Sequence, residues 1–174
     1  MTIKLLSMHL KNFMCYEEQE FNFHDKTVIS GANGKGKSSI ASAYTWCFLD
    51  CDYEMRSNPV VRREVNGSPV DGDVEVTLVL DMDGREITVR KVQKRTYSKY
   101  GSSYKDDNKY FINDVPKTKT AFNEYLEIGN AFKMSSNINA FLNQKSDEVR
   151  KFLFQTVKDI PDASVADKYP DLAE

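Results

Sequence analysis

The sequence predicts an α/β fold in which a glycine-rich loop joins a strand to a helix and an antiparallel β subdomain follows. Residues 31–38 read G-x-x-x-x-G-K-S, the pattern of a phosphate-binding P-loop. Residues 27–30, just before the loop, are β-branched and apolar, as in a short buried strand. After the loop, one predicted helical face carries the apolar residues Ile40, Ala43, Tyr44, Cys47 and Phe48. Strand, loop and helix therefore come in the order that phosphate binding requires.

The P-loop predicts a site for a nucleotide and Mg²⁺. Glycines let backbone N–H groups turn inward as an anion nest, and the helix N-terminus adds its positive dipole end. Lys37 is expected to reach the β- and γ-phosphates, and the Ser38 hydroxyl is expected to hold Mg²⁺. The helix is predicted to span residues 37–49, with Trp46 packed in the core.

Length and composition favour one domain in a reducing compartment. A chain of 174 residues can bury one core, so residues 1–174 are expected to form a single domain. Lys and Arg number 24 against 26 Asp and Glu, so no global field attracts nucleic acid. The three cysteines, Cys15, Cys47 and Cys51, lack the spacing of a metal site. No signal peptide or membrane-length apolar run is present, which predicts a cytoplasmic protein without a membrane partner.

Two strands are predicted before the loop. The second spans residues 20–23, with Phe21 and Phe23 pointing inward, and pairs antiparallel with the first. The first spans residues 3–10, and its alternation places four residues on one side: Lys4, Leu6, Met8 and Leu10.

After the loop helix, the pattern changes to antiparallel strands and then to helices. Residues 74–80 and 86–92 alternate as strands, and Asp83-Gly84 between them is a strong hairpin signal. Residues 97–107 are polar and predict a loop, whereas residues 109–113 predict a further strand. Helices are predicted at residues 118–128 and 146–158. Arg62 and Arg63 are expected to form an exposed basic pair, close enough in sequence to approach a nucleotide.

Two classes of P-loop protein fit the pattern poorly. Residues 81–84 match the D-x-x-G switch motif of GTPases, but they lie between two alternating strands, where a hairpin is the simpler cause. The guanine-reading N-K-x-D motif is also missing. Small nucleotide kinases alternate strands and helices after the P-loop, and the run of antiparallel strands argues against that class.

A third class fits the order of the elements. The residues that carry the match are 10–13, which read L-K-N-F, 31–39, which contain Asn33-Gly34, and the sheet residues 73–94. The chain resembles the N-terminal lobe of an ABC-type ATPase head in the SMC-like family, closest to bacterial and phage versions. That family includes SMC proteins, RecF, RecN and the double-strand-break repair ATPase that partners the Mre nuclease.

The resemblance implies roles for particular residues. Lys37 and Ser38 take the Walker A roles, and Gln144 is the candidate Q-loop residue that contacts Mg²⁺ and the attacking water, with Asp147 as its alternative. Lys35 stands where the family usually has Ser, and Met14 where relatives often have Arg. Lys11 and Asn12 are candidate nucleotide neighbours. The phosphate cradle would consist of Asn33, Gly34, Lys35, Gly36, Lys37, Ser38 and Ser39.

Two motifs of that family are missing from the sequence. No apolar run ends in Asp-Glu as a Walker B motif does, and no L-S-G-G signature occurs. In the family both belong to a C-terminal lobe beyond a long coiled coil, so we expect this chain to be the N-terminal lobe alone. The intact protein is then expected to hydrolyse ATP, and this chain alone to be inactive. The alternative is a nucleotide-gated interaction module without turnover.

The resemblance also implies partners. These are the protein's own C-terminal lobe, a second head in an ATP-dependent dimer, DNA and a nuclease. A cluster of basic residues interleaved with tyrosines is the candidate DNA contact. It comprises Arg85, Arg90, Lys91, Lys94, Arg95, Lys99, Lys105, Tyr97, Tyr100 and Tyr104. A solvated hairpin face explains the same residues without a ligand.

Overall fold

The described part of the chain, residues 2–99 and 103–156 of a computed structural model, is organised by a six-stranded antiparallel sheet. Its strands lie in the order β2-β1-β5-β6-β7-β8, and a separate two-stranded ribbon pairs β3 with β4. The strands are β1 (Ile3–Phe13), β2 (Tyr16–Asn22), β3 (Glu64–Val65), β4 (Ser68–Pro69), β5 (Val74–Met82), β6 (Arg85–Tyr97), β7 (Tyr104–Ile112) and β8 (Val115–Lys117).

Helix α1 (Lys37–Leu49) begins and ends at the predicted residues. It is followed after the sheet by α2 (Lys119–Tyr125), α3 (Asn130–Ser136), α4 (Ile138–Leu142) and α5 (Ser146–Thr156). The Thr118 side chain caps α2, accepting a hydrogen bond from the Ala121 N–H. The helix predicted at residues 118–128 is confirmed with the shorter bounds of α2. The helix predicted at residues 146–158 is confirmed by α5 up to Thr156, and residues 157–158 lie outside the described residues.

The core lies between α1 and one face of the sheet. Strand β5 alternates strictly, so that every second side chain from Val74 to Met82 is buried. Trp46, 2% exposed as expected of a core residue, packs its ring 5.6 Å from that of Phe13 at the end of β1. Removing these apolar surfaces from water fixes α1, and with it the P-loop, against the sheet.

The hairpin prediction at Asp83-Gly84 is confirmed. Met82 pairs with Arg85, and Asp83 and Gly84 have φ values of 50° and 84°, the left-handed conformation that a tight two-residue turn requires. The Asp81 carboxylate accepts a hydrogen bond from the Gly84 N–H at 2.7 Å. Residues 81–84 are therefore a hairpin turn, which removes the observation that favoured a GTPase.

A β-bulge overturns the predicted alternation of the first strand. The register of β1 against β5 shifts between Leu5 and Ser7. Met8 and Leu10 face the core as expected, but beyond the bulge Leu5 packs against the core and Lys4 is exposed. An extra residue in one strand reverses which side chains face inward, and sequence alternation does not report it. Phe21 and Phe23 pack against the core as predicted.

Both ends of the predicted loop at residues 97–107 are strand, and residues 100–102 lie outside the described residues. Strand β6 continues to Tyr97 and β7 begins at Tyr104, with those two residues paired. Polar residues are stable in these strands because the cross-strand pairs Lys94 with Asp107 and Arg95 with Asp106 place opposite charges next to each other.

The prediction of a strand at residues 27–30 is wrong. These residues have no assigned secondary structure, and Val28 and Ile29 are 80% and 44% exposed. A short strand is stable only when neighbouring strands supply hydrogen bonds and apolar contacts. Within the described residues, no strand pairs with this segment.

Candidate nucleotide-binding site

The P-loop ends at a helix N-terminus that the protein itself leaves open. In the part of the chain that the structure describes, the first turn of α1 contains no acidic residue, and the N-cap residue Gly36 supplies no side-chain cap. The first N–H groups of a helix need acceptors, and the helix dipole concentrates positive charge there. This end of α1 therefore favours an anion.

The glycines of the loop have the backbone conformation that only glycine adopts readily. Gly34 and Gly36 have φ values of 78° and 88°. The Lys35 N–H lies 3.4 Å from the Ala32 carbonyl, which closes a turn ahead of the helix. The chain can thus reverse tightly and present its amides to the space in front of α1.

Lys37 folds back over the loop. Its ammonium donates hydrogen bonds to the carbonyls of Gly31 at 2.7 Å and Ala32 at 2.8 Å. A lysine ammonium has three donors, so these two bonds hold it beside the loop and leave one N–H for another acceptor. The positive charge therefore lies beside the loop that the sequence predicts to hold phosphate.

The other predicted cradle residues fall into two groups. Asn33, Gly34, Lys35 and Ser38 are exposed, as a ligand-facing loop should be. Ser39 is half-buried, and its hydroxyl lies 3.7 Å from the Cys15 thiol in the turn between β1 and β2. The β1–β2 turn therefore lies directly against the start of α1.

Lys11 and Asn12 lie at the end of β1. Lys11 is exposed between Glu18 of β2 and Glu75 of β5 in the strand register. The Asn12 amide donates to the Asp73 carbonyl at 3.0 Å, and the Asn12 carbonyl accepts from the Arg63 N–H. These bonds tie β1 to the residues just before β3 and just before β5, and whether Lys11 or Asn12 approaches a nucleotide stays a prediction.

Gln144 and Lys37 do not line the same cavity. A pocket of about 220 Å³ beside α1 is lined by Lys37 together with Ser136 and Asn137, the residues at the junction of α3 and α4. Gln144 lies after α4, where its N–H donates to the Phe141 carbonyl, and Asp147 lies in the exposed first turn of α5. The structure thus brings Asn137, rather than the candidate Gln144, to the cavity that Lys37 lines.

Asn137 is held by two networks. Its side-chain oxygen caps α4 by accepting from the N–H groups of Asn139 and Ala140. Its amide nitrogen donates to the Tyr53 carbonyl at 3.0 Å, and the Asn139 amide donates to the same carbonyl. In the sequence, an Asn immediately before a short apolar helical run is the pattern that indicates a helix N-cap at Asn137.

Arg62 is buried, which contradicts the expectation of an exposed basic pair. It is 4% exposed, and its guanidinium donates to the carbonyls of Val70 and Gly72 and lies 3.5 Å from the Asp106 carboxylate. Burial lowers the pKa of Arg62. Arg63 instead pairs with Glu17 at 3.0 Å. Arg62 is buried because carbonyls of other segments accept its hydrogen bonds, and no local sequence pattern predicts these contacts.

The basic cluster between β6 and β7 is largely neutralised. Arg95 forms a two-pronged pair with Asp106, at 2.9 and 2.8 Å, and stacks over the Tyr104 ring at 3.6 Å. The Asp106 pKa is lowered chiefly by this hydrogen bond. Arg90, Lys94 and Lys105 also have carboxylate partners. Tyr100 lies outside the described residues. Ion pairing within the sheet accounts for most of the cluster without DNA.

Lys91, another member of that cluster, is fully buried behind α1. Its ammonium donates to the Trp46 carbonyl at 2.6 Å and to the Asp50 carboxylate. Asp50 caps the C-terminal end of α1 and also binds Lys119 and the Tyr110 hydroxyl. Ile87, Val89 and Lys91 are spaced two apart, which was the signal that Lys91 shares their inward face.

Membrane-spanning helices and acidic or thiol metal clusters are both missing from the described ranges. In residues 2–99 and 103–156, no helix is long and apolar enough to cross a membrane. In the same ranges, no three His, Cys, Asp or Glu side chains are grouped as a metal site.

A P-loop at an open helix N-terminus, with its lysine folded over the loop, defines the P-loop class of nucleotide-binding proteins. The chain belongs to the AAA domain family, whose model matches residues 7–169. This family is related to SMC and Rad50 proteins, and membership implies the P-loop NTPase fold.

Three relatives are similar to parts of the chain. An uncharacterised protein, 050L, of invertebrate iridescent virus 6 is 27% identical over 159 residues, which are 83% of this chain and 14% of that protein. The DNA double-strand break repair Rad50 ATPases of Methanosarcina mazei and Methanosarcina acetivorans are each 44% identical over 48 residues, 27% of this chain and 4% of theirs. The chain therefore spans a small fraction of the relatives it matches, and the family match and the Rad50 segments together support an SMC-like ATPase domain.

Proposed function

We propose that the chain is the ATP-binding, N-terminal lobe of an SMC-like ATPase that acts in DNA repair or recombination. The observation that carries the proposal is the open N-terminus of α1 behind the P-loop, with the Lys37 ammonium 2.7 Å from the Gly31 carbonyl. An uncapped helix end and a positioned lysine together favour the phosphates of a nucleotide. The AAA family match supports ATP as that nucleotide.

Mg²⁺ fits this site as an ion held jointly by the protein and by the phosphates of the nucleotide. The Ser38 hydroxyl is exposed in the first turn of α1, where it would hold the ion together with phosphate oxygens. Mg²⁺ usually takes only one or two protein ligands beside phosphates and waters, so a dense acidic cluster is not required. Gln144 remains the proposed Q-loop residue. Its backbone N–H donates to the Phe141 carbonyl at 3.3 Å, and substitution of its side chain tests the role.

Hydrolysis requires a carboxylate that polarises water, and the sequence contains no Walker B motif to supply it. Among the described residues, the small cavity that Lys37 lines beside α1 also contains no carboxylate. Val28 and Ile29, just before the loop, are exposed apolar residues without strand partners in the described part of the chain. A C-terminal lobe with Walker B and signature motifs would cover this segment and complete the site, and a second head would close over the nucleotide.

DNA and a nuclease are proposed as partners of the complete protein. The names of the two Rad50 relatives state DNA double-strand break repair. The hairpin cluster itself contributes little to the proposal, because Arg90, Arg95 and Lys105 are paired with carboxylates. DNA would therefore contact other surfaces of the assembled heads.

A second candidate is a nucleotide-gated interaction module without turnover. Among the described residues, no carboxylate lines the cavity at Lys37, and this fits a module without turnover as well as it fits half of an ATPase site. The two functions separate when a C-terminal lobe is supplied. Sustained phosphate release would support the ATPase, and tight binding without release would support the module.

The test of the site is Mg-ATP titration of Lys37→Ala. The variant should lose detectable binding while its thermal unfolding stays unchanged, because the Lys37 ammonium donates its hydrogen bonds to carbonyls of an exposed loop. Lys26→Ala is the matched control, since Lys26 is an exposed lysine shortly before the loop. If Lys37→Ala binds Mg-ATP as tightly as Lys26→Ala, the P-loop is not the nucleotide site.

A further inference from the structure

The turn between β1 and β2 reaches the closing glycine of the P-loop. The Tyr16 hydroxyl, at the start of β2, donates to the Gly36 carbonyl at 3.2 Å. A Cβ on Gly36 would lie 2.5 Å from the Cys15 thiol and 2.7 Å from the Tyr16 hydroxyl, so the turn fills the space beside this residue. The Cys15 thiol also lies 3.7 Å from the Ser39 hydroxyl.

The bond from Tyr16 acts on a peptide group that faces the phosphate site. The Gly36 carbonyl and the Lys37 N–H belong to one planar trans peptide, so fixing the carbonyl fixes the N–H that points the opposite way. The same carbonyl accepts the Ser39 N–H at 2.9 Å and the Ile40 N–H at 3.2 Å. The Lys37 N–H is among the first donors of α1, which have no partner within the helix.

Tyr16 is itself held rigidly and stays a donor. Its ring packs edge-on against Phe21 with centroids 5.4 Å apart, and its residue pairs with Phe13 across the β1–β2 turn. Burial raises the pKa of the Tyr16 hydroxyl, with a smaller effect of Cys15 in the same direction. The phenol therefore keeps its proton throughout the neutral range.

We propose that Tyr16 is a positioning residue of the nucleotide site, which orients the Gly36–Lys37 peptide so that the Lys37 N–H is directed at the phosphate chain. The proposal rests on the proposed nucleotide-binding function of the P-loop. It assigns the β1–β2 turn a role in ligand affinity that is separate from its contribution to the sheet.

The test compares Tyr16→Phe with two controls by calorimetric titration with Mg-ATP and with Mg-tripolyphosphate. Tyr16→Phe keeps the ring on Phe21 but loses the hydroxyl, and it should weaken both ligands by the same factor, about five- to tenfold. Tripolyphosphate is the decisive probe, because it carries the phosphates without a base. Tyr53→Phe removes a hydroxyl that binds Glu54, so its affinities should equal those of the wild type.

Phe21→Leu separates orientation from hairpin stability. It loosens the packing of Tyr16 but keeps the hydroxyl, so its melting temperature should fall while its affinity stays within about twofold of the wild type. Wild-type affinity in Tyr16→Phe, or an equal loss in Phe21→Leu, would overturn the proposal. A wild-type chain that binds neither Mg-ATP nor tripolyphosphate would instead overturn the proposed function on which it rests.

Discussion

The Lys91 ammonium lies 3.9 Å from the centroid of the Trp46 indole ring and also donates to the Trp46 carbonyl. Lys91 belongs to β6 and Trp46 to the last turns of α1, so the contact joins the P-loop helix to the sheet. Asp50, at the end of the same helix, supplies the balancing charge. The position of the helix thus depends on a buried lysine whose ammonium lies over two aromatic rings, Trp46 and Tyr110, and pairs with one carboxylate.

Asp50→Asn should destabilise the protein strongly. Below about pH 7, where the folded chain keeps Lys91 protonated, the substitution leaves a buried charge without its carboxylate, and breaking a buried ion pair in this way costs about 3–5 kcal/mol. Asn tolerates the left-handed backbone of Asp50, whose φ is 57°, so backbone strain does not contribute. The free energy of unfolding in urea measures the effect.

Asp83→Asn is the matched control for this experiment. Asp83 is also left-handed, with a φ of 50°, but it lies in the exposed turn between β5 and β6. Its substitution should change the free energy of unfolding by less than about 1 kcal/mol. Similar losses in the two variants would contradict the role given to Asp50.

Lys91 should also give the stability a distinct pH dependence. Burial lowers the pKa of Lys91 from 10.5 to about 7, with the Cys47 and Cys51 thiols opposing the shift. Between those two values the unfolded chain holds a proton that the folded chain has released, so this residue makes stability rise with pH across that window. Below the lower value both states are protonated, and the full cost of burying the charge is present.

Lys91→Met removes that contribution. The difference in the free energy of unfolding between wild type and variant should increase with pH by at most about 1.4 kcal/mol per unit, the limit for one proton. Urea unfolding at several pH values from neutral to alkaline measures it. The difference cancels Tyr44, whose pKa burial raises to about 12 in both proteins. Burial also raises the pKa of Cys47, and Lys91 opposes that shift, so the variant raises the Cys47 pKa further and unfolding is compared below the range in which this thiol titrates. A difference that does not vary with pH would mean that Lys91 keeps its charge when folded.

Arg62→Lys should be destabilising although the charge is kept. The planar guanidinium donates to the carbonyls of Val70, Gly72 and Gln93 at the same time. An ammonium group cannot reproduce this arrangement of donors. Losing these charge-assisted hydrogen bonds should cost at least about 2 kcal/mol in the free energy of unfolding. Arg63→Lys, which alters a pair with the exposed Glu17, should cost no more than about 1 kcal/mol. Equal effects would show that the burial of Arg62 has no energetic consequence.

Gly36→Ala should disrupt the loop more than Gly34→Ala. Both glycines are left-handed, which costs an alanine about 1–2 kcal/mol. Only the Cβ at residue 36 would collide with Cys15 and Tyr16, whereas a Cβ at residue 34 meets nothing within 4 Å. The difference in melting temperature and in Mg-ATP affinity between the two variants measures the collision. Equal melting temperatures and affinities in the two variants would show that the β1–β2 turn moves away from the new Cβ at no measurable energetic cost.

Local patterns in the sequence predicted the elements whose signals are local. Helix α1 came with both ends correct, because the P-loop sets its start and a helical apolar stripe defines its length. The β5–β6 hairpin followed from alternation around Asp83-Gly84. The P-loop glycines and Lys37 could be identified from the sequence alone, because the chemistry requires those residue types at that spacing.

Features that depend on distant residues could not be predicted. The segment at residues 27–30 has strand composition but no strand partner in the described part of the chain. Arg62 is buried by carbonyls up to 31 residues away, at Gln93. Asn137 reaches the Lys37 cavity only through the packing of α3 and α4 beside α1. Each outcome is a tertiary contact that overrides a correct local propensity.

The most direct test of the central claim is calorimetric titration of this chain with Mg-ATP and with Mg-GTP, followed by a phosphate-release assay on the same sample. The account predicts weak binding of Mg-ATP, a preference over Mg-GTP and no release, because the P-loop is present and the sequence contains no Walker B motif. A preference for Mg-GTP, or steady phosphate release from this chain alone, would contradict the account.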